Sequence, residues 1–600
     1  MRLRPLIAAL LATLLATLAL RGSARAQTAQ PALHWQPWSD AVFAQARTEH
    51  KFVLLDLEAV WCHWCHVMDD VTYKDPIVIR LLNSHYLLVK VDQDSRPDIS
   101  NRYEDYGWPA TVVFAADGSE IVKRQGYIPP RPMSAMLQAI IDDPSPGPSV
   151  VKEAAFHPAD ASALTPALLA TVRAGYEKQY DTDAAGWGFG HKYLDSDSVE
   201  YALRLAARGN AVYAQRAATT LHNARNLIDP VWGGMDQYSV DGIWTEPHYE
   251  KLALIQAVAL RQYSLAYAQT GNPEDLSAAQ AIHGYVTHFL TAPTGAFYVS
   301  QDADLHDGED NEAYYKLSDA ERRRQGIPRI DTHVYARENG WVIAALADYS
   351  AASGDASALA QAERAAAWVL THRALPGGGF RHGDADPAGP YLGDSLAMGQ
   401  AFLDLYNVTG DRSDLRNAAA AARFIAAHFK PASPGTGFVT SVTATDTAYR
   451  PRPERDENIA LVRFASMLAL ATGDASFQTM AAEAMRYLAA PSVASEPLSA
   501  GILLANEDAT QAPLHVTIVG TAANAATVAL HDAALRNLAS HELIELRDPV
   551  DPHPQPSTIA YPKLDRPALY LCTATACSSP VFQPAQVHGK IQRAELQSAR

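Results

Sequence analysis

The sequence predicts a multidomain chain: an N-terminal α/β domain, an all-α toroid of helical hairpins, and a small C-terminal α/β appendage. Three observations predict it. A buried-strand pattern at 52–57 runs directly into Trp61-Cys62-His63-Trp64-Cys65-His66, and a helix pattern follows. Between 165 and 490 the chain turns alanine-rich with apolar residues at three and four spacing, and two punctuation marks recur through it. After that, strand patterns at 514–520 and 568–572 flank one further helix. A Cys-x-x-Cys at a strand-to-helix junction inside a βαβ pattern marks a thioredoxin-like redox fold.

Length and composition bound the rest. Six hundred residues exceed what one core organises, so several domains are expected. Apolar residues make up 48% and charged ones 19%, as in ordinary globular chains. The first residues differ. Arg2 and Arg4 precede an apolar run at 6–20 and then Ala24-Arg25-Ala26, the pattern of a leader cut after Ala26. Export to the periplasm and a mature start at Gln27 follow as expectations. The alternative is an uncleaved membrane anchor. Loss of the leader's four arginines takes the formal charge from −17 to −21. Such a surface repels polyanions, so nucleic acid and anionic membrane are poor partners. The four cysteines fall as Cys62/Cys65 and Cys572/Cys577, two close pairs suited to disulfides in an oxidising compartment.

In the thioredoxin-like domain (27–143), Ser39 is placed to cap a helix at 40–49, before the strand at 52–57. Asp75 caps a helix at 76–83 with Pro76 at its first position. Strands at 86–91 and 110–115 come next, then an Asp117-Gly118 hairpin into 120–124 and a closing helix at 132–142. Residues 144–164 form a Pro-rich linker. In the toroid (165–490) one recurring mark is a glycine-aromatic turn, as in Gly186-Trp187, Gly295-Ala296-Phe297, Gly377-Gly378-Gly379-Phe380 and Gly437-Phe438. The other is a helix stop: Gly271-Asn272, Gly354-Asp355, Gly410-Asp411 and Gly473-Asp474. Repeated hairpins either stack as a solenoid or close into a ring, and the turns at one end of each favour the ring. Residues 491–600 form the appendage.

In disulfide exchange the thiolate is the nucleophile. Cys62, at a helix start, is expected to attack and Cys65 to resolve. Asp56, six residues earlier on the strand, is expected to take the Cys65 proton. Pro109, if cis, would seat a substrate peptide, and Trp61, Trp64 and Trp108 form a docking collar. Cys62-x-x-Cys65-His66 also matches the c-type haem attachment pattern, but strand patterns on both sides of it argue against haem. No cofactor or metal is expected. In the toroid, His248, Glu250, Asp302 and Asp394, with Glu457, could form an acid–base set. The acidic run Asp302, Asp304, Asp307, Glu309, Asp310 and Glu312 reads as a solvated insertion or, less simply, a cation or sugar site. Trp187, Trp232 and Trp244 either pack between hairpins or stack on sugar faces. Cys572/Cys577 is either structural or a second redox station.

The chain resembles the thioredoxin-domain family typified by spermatogenesis-associated protein 20. The resemblance rests on Trp61-Cys-His-Trp-Cys-His-Val-Met68, Gly107-Trp-Pro-Ala-Thr111, Tyr238-Ser-Val-Asp241, Pro247-His-Tyr-Glu-Lys251, Gln301-Asp-Ala-Asp304 and Asn339-Gly340. It implies a thioredoxin-like domain joined to a six-hairpin toroid similar to that of N-acylglucosamine 2-epimerases. Met235-Asp236-Gln237 departs from the His-Arg usual in that family after the paired glycines. Three functions follow as expectations. The first is a thiol–disulfide oxidoreductase acting on protein thiols or disulfides. The second is a carbohydrate-active toroid, of epimerase or hydrolase type, with a sugar or other small molecule in its mouth. The third is a non-catalytic binding protein. Redox direction stays open.

Overall fold

The computed structural model describes residues 32–598 except 152–154, 310, 432, 443–449, 552–558 and 574–575. The leader at 1–26 and Asp310 therefore lie outside the described residues. The first domain is a five-stranded sheet in the order β1-β3-β2-β4-β5. The strands are β1 (Trp35–Gln36), β2 (Phe52–Glu58), β3 (Tyr86–Asp92), β4 (Ala110–Phe114) and β5 (Glu120–Gln125). β1, β3 and β2 run parallel, while β4 and β5 run antiparallel to their neighbours.

Strand β2 is central and buried on both faces, which is why it reads as a continuous apolar run. Its Val53, Leu55 and Leu57 meet α1 (Asp40–Glu49), and Leu54 faces the opposite side. The dithiol helix α2 (His63–Val67) follows β2. On the Leu54 side lie α3 (Pro76–His85) and, later, α5 (Pro130–Asp142); α4 (Pro97–Tyr103) packs with α1. Two elements escaped the sequence reading. β1 is only two residues long, and α4 is a single short helix without amphipathic period. Asp75 caps α3 through the backbone N–H groups of Ile77 and Val78, as expected, whereas the Ser39 side chain makes no capping bond.

The second domain opens with α6 (Pro166–Lys178) and continues as antiparallel pairs. These are α7/α8 (Ser196–Ala207, Ala211–Ala224), α9/α10 (Ala253–Thr270, Pro273–Tyr285) and α11/α12 (Ala336–Ser353, Ala356–His372). Two more follow, α13/α14 (Leu392–Thr409, Arg412–His428) and α15/α16 (Arg455–Thr472, Ala475–Leu488). The sixth pair joins the two ends of the domain: α17 (Ala500–Thr510) packs on α6. Helices α7, α9, α11, α13, α15 and α17 each touch the next, and α17 returns to α7, closing an α/α toroid. The toroid thus runs past residue 490. α17 escaped because it carries no Gly-Asp stop.

The two punctuation marks have separate jobs. Gly271, Gly354, Gly410 and Gly473 take φ between +69° and +78° and end inner helices, a conformation that favours glycine. The next residue, Asn272, Asp355, Asp411 or Asp474, caps the following outer helix with its side-chain oxygen. The glycine-aromatic turns lie at the opposite end of the hairpins, around the mouth. They are held by buried amides: Asn339 Oδ1 accepts from Phe297 N at 2.8 Å and Asn458 Oδ1 from Phe438 N at 2.8 Å.

Inside the ring, Glu200 of α7 is completely buried and accepts from Arg204, Arg261 and Arg463. Arg261 also holds Asp348 of α11, and Arg463 holds Asp508 of α17, each at 3.0 Å. Burial alone would raise the Glu200 carboxyl, but these guanidiniums hold it well below the usual carboxylate range.

The C-terminal region is a three-stranded sheet of β6 (Leu514–Val519), β7 (Glu542–Arg547) and β8 (Ala568–Cys572), ordered β7-β6-β8, with helices α18 (Ala525–Leu535) and α19 (Val587–Ser598). It sits against the C-terminal ends of the inner helices, with Arg536 beside Gly354 and Leu546 beside Gly410.

Candidate active site

Strand β2 delivers Cys62 to the N-cap of α2, where its sulfur accepts from Cys65 N at 3.2 Å. Cys62 and Cys65 are joined by a disulfide and each is 3% exposed. The Trp108–Pro109 bond at the head of β4 is cis, and Pro109 is buried. Ala59, Trp61, Cys62 and Cys65 form one apolar cluster with Trp108 and with Leu252, which belongs to the toroid. The dithiol therefore faces the second domain.

Of the three tryptophans expected to meet a partner, Trp64 is 39% exposed and stacks on Tyr127. Trp61 does not face outward. It is buried and donates from Nε1 to Asp94 Oδ2 at 2.8 Å. Trp108 is half-buried against the cysteines.

Asp56 is buried on β2 with Lys90 Nζ at 3.5 Å from Oδ2, and no protein hydrogen bond reaches Oδ1 among the described residues. Burial pushes its carboxyl up to about 7, against the pull of Lys90. Such a group can hold and release a proton near neutrality. The linkage sign is plain. Because folding raises this carboxyl from 3.8 to about 7, its contribution is present below about 4 and is lost as pH rises through 7.

The toroid supplies the other wall. Asp304, in the loop after the short strand Ser300–Gln301, is nearly fully buried. Its Oδ1 is 2.8 Å from His63 Nδ1 and its Oδ2 is 3.0 Å from His66 Nδ1. Gly308 N and Asn311 Nδ2 also donate to it, at 2.7 and 3.0 Å. Burial would lower both histidines, but the Asp304 carboxylate outweighs it and both are raised. Despite its own burial, Asp304 is pulled down to about 2 by the same two bonds. Arg329 reaches across as well, donating to Val60 O at 2.6 Å and Asp302 Oδ2 at 3.1 Å, with His66 Nε2 at 3.3 Å. His66, Asp302 and Asp304 approach closely enough to be considered as a metal set. The Arg329 guanidinium already supplies the positive charge there, so the cluster is an ion-pair network.

A second bridge joins the domains through His382. Its Nδ1 lies 2.9 Å from Asp394 Oδ1 and its Nε2 is 2.7 Å from Asp94 O. Burial opposes protonation of His382, but Asp394 raises it to about 8, so the imidazolium donates on both sides.

The toroid residues singled out by sequence are thus divided. Asp302 joins the dithiol face, and Glu250 is close enough for its charge to act on His63. His248 sits in a short strand, Pro247–His248, stacked on Tyr238 and 3.9 Å from Glu250 Oε2. Asp394 belongs to the His382 bridge. Asp302 and Asp304 are not a solvated insertion, although Asp307 and Glu309 are exposed. Trp187, Trp232 and Trp244 are core residues, with Trp187 stacked on Tyr176. Cys572, the last residue of β8, forms a disulfide with Cys577 at the far end of the toroid. Eighteen-residue inner helices such as α11 and α13 put about 27 Å between the two ends. Direct exchange with Cys62/Cys65 is excluded in this arrangement. No helix among the described residues is long and apolar enough to cross a membrane.

These features define a class: a thioredoxin-like domain seated, dithiol inward, on the mouth of an α/α toroid. Residues 21–142 match the family model described as "Protein of unknown function, DUF255". Spermatogenesis-associated protein 20 of Mus musculus is 27% identical over 314 residues, which cover 46% of this chain and 40% of that protein. The resemblance to that family is shown over these residues, and the match spans about two fifths of the relative's length. Thiol:disulfide interchange protein DsbD 1 of Pseudomonas aeruginosa is 38% identical over 84 residues, 14% of each chain. Among solved structures, cellobiose 2-epimerase from Bacillus thermoamylovorans superposes with a TM-score of 0.42 at 12% identity, over 54% of this chain and 87% of that one.

Proposed function

We propose that this protein is an exported, periplasmic thiol–disulfide oxidoreductase that works through Cys62 and Cys65. The observation that carries this is the Cys62–Cys65 bond at the N-cap of α2, packed on Trp108 and following the strand that buries Asp56. In the reducing direction, Cys62 thiolate attacks a substrate disulfide and one substrate thiolate leaves. Asp56 takes the Cys65 proton, Cys65 attacks Cys62, and the second substrate thiolate leaves. Two electrons pass to the substrate and the protein disulfide re-forms. The oxidising direction is the same path reversed. Partners are protein thiols or disulfides. Because both cysteines are buried against the toroid, a protein partner reaches them only after the first domain lifts from the mouth.

The trapping experiment is direct. With Cys65→Ser, the resolving thiol is gone, and a mixed disulfide between Cys62 and a model disulfide should accumulate in stoichiometric yield by mass analysis. No adduct on Cys62 would sink the proposal. Asp56→Asn should slow resolution by roughly a hundredfold near pH 7, the low end of general acid–base contributions. The wild-type rate should climb as pH rises through about 7, where Asp56 ionises. The variant should lack that inflection, and an unchanged profile would remove Asp56 from the mechanism.

The second reading, a carbohydrate-active toroid, draws on one observation. Asp394 Oδ2 and Glu338 Oε2 are buried without a hydrogen-bond partner among the described residues. A sugar hydroxyl in the mouth would satisfy them. Isothermal titration with neutral mono- and disaccharides tests it, and absence of saturable heat contradicts it.

A further inference from the structure

The thioredoxin-like domain does not carry a complete redox site by itself. We propose that Asp304, contributed by the toroid, is a positioning residue that sets the redox poise of the Cys62/Cys65 pair by holding His63 and His66 as imidazolium ions beside it. The inference rests on the redox function proposed above and deepens it. It makes the toroid part of the dithiol's chemistry rather than a separate module.

The geometry is specific. His63 and His66 both lie on α2 with Cys62 and Cys65, and each turns its Nδ1 to a different oxygen of one carboxylate. Asp304 is fixed in turn by Gly308 N and Asn311 Nδ2, so it is built to face α2 rather than free to drift. Both histidines are largely shielded from water, and left alone they would lose their protons at neutral pH. With Asp304 in place, two imidazoliums and one carboxylate carry one net positive charge among themselves; without it, two neutral rings carry none. The remaining charges facing these rings are Glu250 toward His63, and Asp302, Asp307 and Arg329 toward His66. Arg329 offsets Asp302, its ion-pair partner, while Glu250 and Asp307 stay in either case, so loss of Asp304 makes the surroundings of the dithiol one charge more negative.

Reduction of the disulfide takes two electrons and, when Cys62 stays a thiolate, one proton, which goes to Cys65. Positive charge next to that thiolate stabilises the reduced form selectively, because the disulfide carries no charge to stabilise. Cys65 N, already aimed at Cys62 Sγ, adds to the same effect. Asp304 therefore biases the pair toward oxidising power. The pH window has two edges. The histidine contribution is fully present below their ordinary value of 6.5 and is lost as pH rises through the raised values. The Asp304 contribution is present above its ordinary 3.8 and is lost as pH falls through about 2.

The test uses the full chain and its Asp304→Asn variant, which keeps the side-chain shape and removes the charge. Two quantities are read: the dithiol–disulfide equilibrium across a glutathione series, and the pH profile of Cys62 alkylation in the reduced protein. The variant should shift the equilibrium at least tenfold toward the disulfide, about 30 mV lower, and move the alkylation profile to higher pH. Since Asp304→Asn could loosen the toroid loop, His63→Gln/His66→Gln is measured beside it with Asp304 untouched. It should shift the equilibrium in the same direction at least as far, because Asp304 is then left without its imidazoliums, and adding Asp304→Asn to it should bring the shift back to that of Asp304→Asn alone. If either variant keeps the wild-type equilibrium and alkylation profile, the inference is overturned. A wild-type protein that forms no Cys62 adduct would instead overturn the redox function itself, so the two failures are told apart.

Discussion

Cys62→Ser is expected to lower thiol–disulfide exchange by roughly 10³-fold or more, to the buffer background. The thiolate is the only nucleophile the reaction can use, and losing the nucleophile costs far more than losing a supporting group. No third thiol stands by: the only other cysteines are bonded to each other at the far end of the toroid. Folding should be little affected, since the sulfur is replaced by an oxygen of similar size, and the bond closes only a short loop between residues three apart. A steady-state assay with a model protein disulfide, read together with a melting curve, separates loss of chemistry from loss of structure. Retained turnover in the variant would mean that Cys62 is not the nucleophile and would contradict the redox reading.

The second large effect is on stability. Glu200→Ala should cost about 3–5 kcal/mol, because it strips the shared carboxylate from Arg204, Arg261 and Arg463 inside the ring. Asp348 and Asp508 can still partner Arg261 and Arg463, but neither replaces the central contact where three inner helices meet. A swap for an apolar residue of similar volume would not restore it while the guanidiniums remain. Denaturant unfolding followed by toroid helicity should show an earlier midpoint for the variant. A shift below about 1 kcal/mol would mean that the ring is held by its apolar packing and the hub contributes little.

What the sequence disclosed depended on how local the signal was. The dithiol, Asp56, Pro109 and the capping Asp75 are each read from the few residues around them; the structure shows the Cys62–Cys65 bond, a buried Asp56, a cis Trp108–Pro109 bond and the Asp75 cap. The helix stops were legible because an αL glycine and the next helix's N-cap must be adjacent in the chain. The clasp between the domains was not. Asp304 is 241 residues from His63 and 238 from His66, and Asp94 is 288 from His382. No spacing rule links such pairs. Asp304 did stand in the acidic run, but a run of carboxylates looks the same on paper whether it is solvated or folded against a histidine pair. The same limit explains Trp61. Beside a Cys-x-x-Cys it reads as a docking surface, and only the loop bearing Asp94 shows that its indole is turned inward. The tryptophans of the glycine-aromatic turns were ambiguous for a related reason. Their buried partners, such as Tyr176 for Trp187, come from a preceding helix of another hairpin.

The most direct measurement is the reduction potential of Cys62/Cys65 in the intact chain, from alkylation and mass analysis across a glutathione series. A working exchange site, with its thiolate stabilised at the N-cap of α2 and by the imidazoliums that Asp304 holds, should titrate between about −120 and −270 mV. A pair that stays oxidised below about −300 mV would be a structural disulfide and would contradict the account.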